Sequence, residues 1–412
     1  MKVALVARSV FPLHGYGGLE RHVYDLARAL ADRDVEVTLI TRPPLRDREW
    51  SATAVHPLVR AEFVPYHTFP FAGRRGTTVF DRSTAYPIFG LRAGRRALEL
   101  VQRGRADLVH GLGASVLGYA RARASERAPL VLNPQGLEEF GATDASRARL
   151  KRAAYLPLRR AVLACAAAAD VVIATDRTLE PVVRRHLNIP ADRVRTIPNA
   201  LDLAGIDALT DPAFIRDLHR RAEIANGEIV LFSAGRLEEN KGFHVLLQAL
   251  AAARDHGGLE HRSWRWICAG DGPYRPRLET IARELSLLDR VRFLGRVTDA
   301  EMHAWHELST LFVHPTLYEG SSLVTLEAMA HRRAVVASSA GGLPDKVRPG
   351  VNGWLVPPGD AGALAAAISG AVSDEARLER FGPAGREIVE QEFSWRAAGD
   401  ATVALYRELL GR

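Results

Sequence analysis

The chain has 412 residues, of which 47% are hydrophobic and 25% are charged, and it carries a formal net charge of +7. These proportions are ordinary for a soluble globular protein and exclude collagen-like, disordered and coiled-coil classes, while the length favours two domains. The basic residues are scattered among acidic ones without a long run of like charge, so nucleic-acid binding is not expected.

Two features bear on the cellular environment. The chain has only two cysteines, Cys165 and Cys268, which excludes a disulfide scaffold and a cysteine-based zinc site and favours a reducing compartment. Its longest apolar stretch, residues 161–175, is interrupted by Asp170 and is too short to span a bilayer. We therefore expect a cytoplasmic protein.

The first half of the chain alternates predicted strands and helices. An apolar run at residues 3–7 predicts the first strand, a glycine-rich loop at residues 15–18 follows it, and apolar residues then recur at helical spacing. Residues 41–90 hold many prolines, glycines and aromatic residues and are predicted to be long connections. The remaining predicted strands of this half lie at residues 35–40, 108–110, 130–132, 171–174 and 196–199.

The second half repeats this alternation after a polar, helical segment at residues 200–227. Its predicted strands lie at residues 229–235, 266–270, 291–295, 311–315 and 334–338. The repetition indicates a parallel sheet with helices on both faces in each half, so the predicted fold class is α/β, with two doubly wound Rossmann-like domains facing a cleft. In such sheets ligands bind beyond the carboxyl ends of the strands.

The strongest motif is a pair of glutamates, Glu319 and Glu327, separated by seven residues. Glu319 follows the predicted strand at 311–315, and Glu327 lies on a helix that is predicted to begin near Ser322. The free N–H groups and the positive dipole end of such a helix suit a phosphate. Glu319 is then placed to accept sugar hydroxyls and Glu327 to reach a ribose. On spacing alone, the interpretation that both glutamates are solvated surface residues has the same weight as this functional one.

A second motif, Gly235-Arg236-Leu237-Glu238-Glu239-Asn240-Lys241-Gly242, directly follows a predicted strand. Its two cations, Arg236 and Lys241, can converge on one diphosphate, where arginine offers a planar fork and lysine a point charge. The same charges would stabilise a diphosphate leaving group. Taken alone, a solvated helix start with paired glutamate and lysine is the commoner outcome.

The glycine-rich loop Gly15-Tyr16-Gly17-Gly18 precedes the first predicted helix and would let the backbone approach a ligand closely. It does not match the GxGxxG dinucleotide fingerprint, which disfavours a nicotinamide-dependent enzyme. Taken alone, a loop of this kind is more often a turn.

Several isolated polar residues are weaker candidates. His110 and Gln135 end or follow predicted strands and would face the same cleft, although a lone histidine at a strand end is more often structural. His303, His306 and His314 suggest a metal, but the first two lie three apart on a helix with no third ligand in register. We therefore expect no metal site.

Together these motifs resemble family 4 (group 1) of the retaining glycosyltransferases, which have the GT-B fold. The resemblance implies an acceptor-side domain at residues 1–200, a nucleotide-sugar-binding domain at 201–392 and a helix at 393–412 that crosses back to the first domain. The matching segments come in the family's order and span nearly the whole chain: GGLERHVYDLARAL, IPNALD, SAGRLEENKG, GDGPYRPRLE, VRFLGRV, HPTLYEGSSLVTLEAMA and VNGWLVPPGD.

The resemblance also implies a donor site for a nucleotide-diphospho-sugar, with no cofactor and no metal, because cations and a helix end take the metal's place. Arg236 and Lys241 would hold the diphosphate, Glu319 the donor sugar and Glu327 the ribose. The other implied donor contacts are Gly17 and Gly18 at the diphosphate, Gly320, Ser321, Ser322 and Leu323 beside the phosphate, and Arg296 and Val297 at the base.

Two departures from the family pattern stand out. Many relatives place a histidine near the transferred sugar where this chain has Gln135, and glutamine cannot shuttle a proton near neutral pH. The role of that histidine is then dispensable or is carried elsewhere, for example by His110. The tetrapeptide EGSS at residues 319–322 replaces the commoner EGFG, which makes the identity of the donor sugar less certain.

The function implied by the resemblance is transfer of a sugar, with retention, to a hydroxyl of a glycan, a lipid or a small molecule. An epimerase or phosphorylase of the same fold and a non-catalytic sugar-nucleotide-binding subunit are the alternatives. The acceptor should meet the first domain. There, residues 147–160 mix arginines with leucines and Tyr155 and either dock on an anionic membrane or form a solvated helix.

Overall fold

A computed structural model describes residues 1–15, 17–44, 55–68, 78–134, 140 and 153–411 of the chain. The chain divides into two compact units: unit 1 is Met1–Ala200 with Trp395–Arg412, and unit 2 is Leu201–Ser394. The C-terminal helix (Trp395–Leu409) therefore groups with unit 1. Phe393 and Ser394, which the resemblance assigns to the crossover segment, group with unit 2.

Unit 1 is built on a parallel sheet. Among the described residues its strands are β1 (Lys2–Val6), β2 (Glu36–Thr41), β3 (Val59–Phe63), β4 (Leu108–Leu112), β5 (Leu130–Asn133), β6 (Val171–Ala174) and β7 (Val194–Thr196). They pair in the order β3-β2-β1-β4-β5-β6-β7. Strands β4, β5 and β6 are buried along their whole length, as expected where helices cover both faces of a parallel sheet.

Helices pack on this sheet and on each other. In the described part of unit 1 they are α1 (Gly18–Ala31), α2 (Thr78–Gln102), α3 (Leu117–Ala120), α4 (Leu156–Ala168), α5 (Glu180–Leu187) and the C-terminal helix. The last of these packs against α1, so the chain returns to unit 1 at its end. No helix among the described residues is both long and apolar enough to cross a lipid bilayer.

The prediction that residues 41–90 form only connections is wrong for the described part of this range. It holds the edge strand β3 and the first half of α2, a helix of 25 residues. Pro87, Gly90 and Gly94 lie inside α2. Because proline and glycine are unfavourable inside helices, the sequence does not predict a helix there. A Cβ at Gly90 would overlap the carbonyl oxygen of Ala114, and one at Gly94 would overlap the backbone nitrogens of Gly118 and Tyr119. These glycines therefore let α2 pack closely on α3 and on the segment that leads into it.

Unit 2 is built on a second parallel sheet. Its described strands are β8 (Ile229–Ala234), β9 (Trp264–Ala269), β10 (Val291–Gly295), β11 (Leu311–His314), β12 (Val335–Ser338) and β13 (Gly353–Val356). They pair in the order β10-β9-β8-β11-β12-β13. Five of these strands match predicted ones to within two residues at each end, whereas the short edge strand β13 was not predicted.

The helices of unit 2 alternate with its strands. They are α6 (Leu203–Leu209), α7 (Pro212–Arg221), α8 (Phe243–His256), α9 (Arg275–Glu284), α10 (Asp299–Leu308), α11 (Leu323–Ala330), α12 (Leu343–Lys346), α13 (Ala361–Val372) and α14 (Glu375–Glu392). Helices α6 and α7 occupy the polar segment that was predicted to be helical.

The strand order of unit 2 reverses between β8 and β11, which are neighbours in the sheet although they are distant in sequence. In a doubly wound sheet, ligands bind in the crevice at this switch point, outside the carboxyl ends of the strands. The loop after β8 carries the Arg236–Lys241 motif, and the loop after β11 carries Glu319. The topology of unit 2 alone therefore brings the two strongest motifs to one edge of one sheet.

We expect Gly90→Ala to destabilise unit 1 by about 2 kcal/mol, the scale of overpacking, because the added methyl group meets the Ala114 carbonyl. The matched control is Gly370→Ala in α13, where a Cβ meets nothing within 4 Å and should gain up to about 1 kcal/mol of helix propensity. Urea unfolding of both variants checks this, and equal stabilisation by the two would contradict the close packing of α2.

Candidate functional site

Lys241 and Glu319 form the central contact at the switch point of unit 2. Lys241 ends a short turn of 3-10 helix, Glu239–Lys241, in the loop after β8, and Glu319 lies in the loop after β11. The Lys241 Nζ donates a hydrogen bond of 2.8 Å to Oε2 of Glu319. The structure thus joins the two motifs through one ion pair.

His314 is a third member of this group, although the sequence suggests it only as a metal ligand. It is the last residue of β11 and is 1% exposed, and its Nε2 lies 2.8 Å from Oε2 of Glu319. Its ring stacks on Phe312, with the ring centroids 6.1 Å apart and the planes at 15°. The sequence does offer an indication of this contact, because His314 lies five residues before Glu319 at the end of a predicted strand.

The Glu319 carboxylate is largely buried, since its side chain is 12% exposed. Burial raises the pKa of Glu319, but the hydrogen bond and charge of His314, together with Lys241, outweigh it and lower the pKa to about 2. The site therefore holds an ionised carboxylate at neutral pH that is only partly exposed to water and is stabilised by two donors.

Glycines let the backbone close around the two loops. Gly341 has a φ of +54°, and a Cβ there would overlap the carbonyl oxygen of Glu319. The next residue, Gly342, donates its N–H to the carbonyl of Gly320 at 3.0 Å. Gly242, directly after Lys241, has a φ of +68°, and a Cβ there would overlap the carbonyl oxygen of Pro315. Both loops are therefore held by contacts that larger residues would break.

Helix α11 begins directly after this group. Ser322 is its N-cap and accepts a hydrogen bond from the N–H of Thr325 at 3.4 Å, and the two hydroxyl oxygens lie 2.9 Å apart. The hydroxyl of Ser321 is buried and has no hydrogen-bond partner among the described residues. The helix start lies where the sequence predicted it, and its first N–H groups and dipole favour an anion there. Gly320 and Leu323 flank these two serines.

Glu327 lies on α11 with its side chain 24% exposed, and its Oε2 is 4.0 Å from Nε2 of His306. His306 is fully buried, and burial lowers its pKa well below its ordinary value. Behind it, His303 contacts His331 at 2.8 Å, and His331 contacts Glu307 at 2.7 Å. These histidines form a buried polar network behind Glu327.

The nitrogen and carboxylate groups of this network do not form a metal cage. Among the described residues, no group of three or more His, Cys, Asp or Glu side chains is arranged to hold a metal ion.

Arg236 is not brought into this group. Its side chain is 75% exposed and pairs with Glu238 at 2.8 Å, and no described contact joins it to Lys241 or Glu319. Arg296 and Val297 follow β10 at the same edge of the sheet, the first exposed and the second half-buried. Their predicted contact with a base stays a prediction.

His110 is the candidate histidine of unit 1. It lies on β4, is 1% exposed, and its Nδ1 is 2.6 Å from the hydroxyl of Tyr406 on the C-terminal helix. Burial lowers the pKa of His110 to about 3, so the ring is neutral. The contact with Tyr406 fits the structural role that is commoner for a lone histidine at a strand end, and a catalytic role for His110 stays a prediction.

The roles of the other unit 1 candidates also stay predictions. Gly17 is the N-cap of α1 and Gly18 is its first residue. Gln135 lies outside the described residues, as does the proposed membrane segment up to residue 152. Residues 156–160 of that segment belong to α4.

Two family models match the chain and together cover both units. The model described as Glycosyl transferases group 1 matches residues 214–388, and the model described as Glycosyltransferase Family 4 matches residues 16–204. A curated relative, alpha-D-kanosaminyltransferase of Streptomyces kanamyceticus, is 31% identical over 242 residues. The match covers 59% of this chain and only 61% of that relative's length.

Solved structures resemble the whole chain. Sucrose-phosphate synthase from Thermosynechococcus elongatus has a TM-score of 0.76 and 24% identity, covering 100% of this chain and 99% of that one. Anabaena Alr3699/HepE, solved in complex with UDP, has a TM-score of 0.71 and 22% identity, covering 99% and 100%. At these identities the likeness concerns the fold.

We expect Glu319 to contribute about 3 kcal/mol to the stability of unit 2 at neutral pH, from the fall of its pKa from 4.5 to about 2. Because the folded pKa lies below the unfolded one, this contribution is complete above about pH 4.5 and is lost as the pH falls towards 2. Glu319→Gln should therefore differ most from the parent at neutral pH and converge with it in acid.

Urea unfolding between pH 6 and pH 3 measures this difference. Glu260→Gln is the matched control, since the Glu260 side chain is 50% exposed, and it should follow the parent at every pH. A constant gap between Glu319→Gln and the parent would show that the carboxylate is not held ionised by its neighbours.

Proposed function

Since the chain belongs to group 1 of the glycosyltransferases and has their GT-B fold, we propose that it is a retaining, metal-independent enzyme whose donor is a nucleotide-diphospho-sugar. The observation that carries this proposal is the pairing of Lys241 with the buried Glu319 at the switch point of unit 2, directly before the N-terminus of α11. A cation, an ionised carboxylate and free backbone N–H groups then meet at one edge of the sheet. This combination suits a phosphate that is bonded to a sugar.

The diphosphate is assigned to Lys241 and the start of α11. A dianion needs compensating positive charge, and the lysine ammonium and the helix end supply it without a metal. Arg236 has a long, exposed side chain whose present partner is the surface residue Glu238, so it is free to turn to the same anion. The structure of Anabaena Alr3699/HepE with UDP supports a nucleoside diphosphate as the ligand class.

The sugar is assigned to Glu319 and the nucleoside to residues farther along the sheet. Glu319 is ionised and can accept hydrogen bonds from sugar hydroxyls. Glu327 lies just over one turn into α11 and would contact a ribose, and Arg296 and Val297 at the end of β10 would contact the base. The acceptor is a hydroxyl of a glycan, a lipid or a small molecule and is assigned to unit 1.

In the proposed reaction, the acceptor oxygen bonds to the anomeric carbon on the face that the diphosphate leaves. The bond between that carbon and the donor phosphate oxygen breaks, its electron pair stays on the phosphate, and a phosphate oxygen takes the acceptor proton. Lys241, Arg236 and the helix end stabilise the charge that grows on the leaving diphosphate. Glu319 stabilises the sugar through contacts that count most in the transition state.

The direct test is to incubate the parent protein with UDP-, GDP- and ADP-sugars, measure binding by calorimetry, and follow transfer to an acceptor panel by NMR. Binding of one donor class, with the anomeric configuration kept in the product, supports the proposal. Inverted products would overturn retention. Turnover only with free phosphate would indicate a phosphorylase, and binding without any transfer a non-catalytic subunit.

We expect Arg236→Ala and Lys241→Ala each to weaken binding of the nucleoside diphosphate by about 1.5–3 kcal/mol, the scale of a hydrogen bond to a charged group. Their effects should be coupled, because both cations serve one dianion. Calorimetry on the four proteins of the double-mutant cycle measures this coupling.

The bare nucleoside is the control for that cycle and should bind almost as well to the variants as to the parent. Equal losses for nucleoside and nucleoside diphosphate would indicate a general defect in unit 2. No loss in either variant would show that the Arg236–Lys241 segment is a surface turn only.

We expect EDTA to leave transfer activity unchanged, because Lys241, Arg236 and the start of α11 offset the diphosphate charge. An assay at saturating donor, with and without EDTA, checks this. Activity that EDTA removes and that Mg²⁺ or Mn²⁺ restores would contradict the metal-independent mechanism.

A further inference from the structure

We propose that His314 is a positioning residue that, with Lys241, holds one oxygen of Glu319 so that the other oxygen is presented to the donor sugar. This inference deepens the proposed function and rests on it. It assigns a role to a buried histidine that contacts Glu319 and lies outside the pair of glutamates and the pair of cations.

The two donors meet the same oxygen. Lys241 Nζ and His314 Nε2 each lie 2.8 Å from Oε2 of Glu319. Oε1 has no hydrogen-bond partner among the residues that the structure describes, and it is not among the buried unpartnered atoms. One oxygen is therefore fully engaged within the protein, and the accessible one is left to accept a hydrogen bond from a ligand.

The hydrogen of the histidine contact lies on Nε2. An ionised carboxylate only accepts hydrogen bonds, so Nε2 must donate, which fixes the orientation of the ring relative to Oε2. The second ring nitrogen of His314, Nδ1, is buried and has no partner in the described part of the chain. In the described part of the chain, the ring of His314 therefore acts on the site through its hydrogen bond to Glu319.

His314 and Lys241 differ in how firmly they are held. His314 ends β11, pairs in register with Ala337 of β12, and stacks on Phe312. The Lys241 ammonium group lies at the end of a flexible side chain, and we also assign it to the diphosphate. When the donor binds, the phosphate competes with Glu319 for the lysine, whereas nothing draws the buried histidine away. His314 then sets the orientation of the carboxylate in the loaded enzyme.

Two substitutions separate positioning from packing. His314→Phe keeps a ring on Phe312 but has no donor, whereas His314→Gln places an amide N–H near the position of Nε2. We expect His314→Phe to lower kcat at least 10-fold with little change in the KM of the donor, and His314→Gln to recover most of the loss.

The pH profile gives a second readout. Lys241 from the turn after β8 and His314 from β11 are the titratable groups that act on Glu319 in the described structure. Loss of the histidine donor should raise the pKa of Glu319, so the acid limb of kcat should move up by about one to two pH units in His314→Phe. His303→Phe, which removes a buried histidine that contacts His331 instead, should lower the melting temperature without moving this limb.

The measurements separate failure of the proposed function from failure of the role inferred for His314. A parent protein that binds no nucleotide sugar overturns the proposed function and this inference with it. An active parent with unchanged kcat and acid limb in His314→Phe overturns the inference alone. Equal losses in His314→Phe and His314→Gln, with no shift of the acid limb, also overturn it, because the ring would then matter only for packing.

Discussion

The site depends on one buried carboxylate that must stay ionised. An isolated charge of this kind costs several kcal/mol to remove from water, and it is tolerated only when donors replace the lost hydration. Glu319 has two such donors, and they come from different parts of unit 2: Lys241 from the loop after β8, and His314 from the end of β11. The loop that carries Glu319 is thereby tied both to its own strand and to the neighbouring one.

This arrangement follows from strand order and from glycine. The doubly wound topology makes β8 and β11 neighbours, so two loops that are nearly eighty residues apart in sequence open at one point. Gly242 and Gly341 then allow the backbone to pass against Pro315 and Glu319 at distances that no other residue permits. The helix that starts at Leu323 adds its N–H groups at the same edge. The fold therefore brings the lysine, the carboxylate and the helix start together without a ligand.

Much of this was predictable from the sequence, because buried parallel strands are short apolar runs and the motifs follow them directly. The apolar runs that form β8, β11 and β12 are clear in the sequence, and they predict the parallel architecture. They also predict that Lys241 and Glu319 lie in loops that follow strands. Helix α2 was not predicted because Gly90 and Gly94 weaken the helical pattern. These glycines are required by a close tertiary contact, which the sequence does not reveal. The edge strand β13 was missed because its four residues give too little periodicity.

The contacts of individual polar residues are harder to predict, since they depend on which way a side chain faces. His110 and His314 both lie at or near the end of a buried strand, and local sequence does not separate them. The structure places the first against Tyr406 and the second against Glu319. Arg236 and Lys241 belong to one motif, yet only the lysine is drawn into the protein, because Glu319 provides a buried partner for it.

The central claim is that this carboxylate, lysine and histidine group forms the donor site, and a crystal structure of the protein with UDP tests it most directly. We expect the diphosphate to lie against Lys241 and the start of α11. The lysine ammonium should turn from Glu319 towards a phosphate oxygen, and the contact between His314 and Glu319 should persist. A diphosphate bound elsewhere on the chain, with the contact between Lys241 and Glu319 undisturbed, would contradict it.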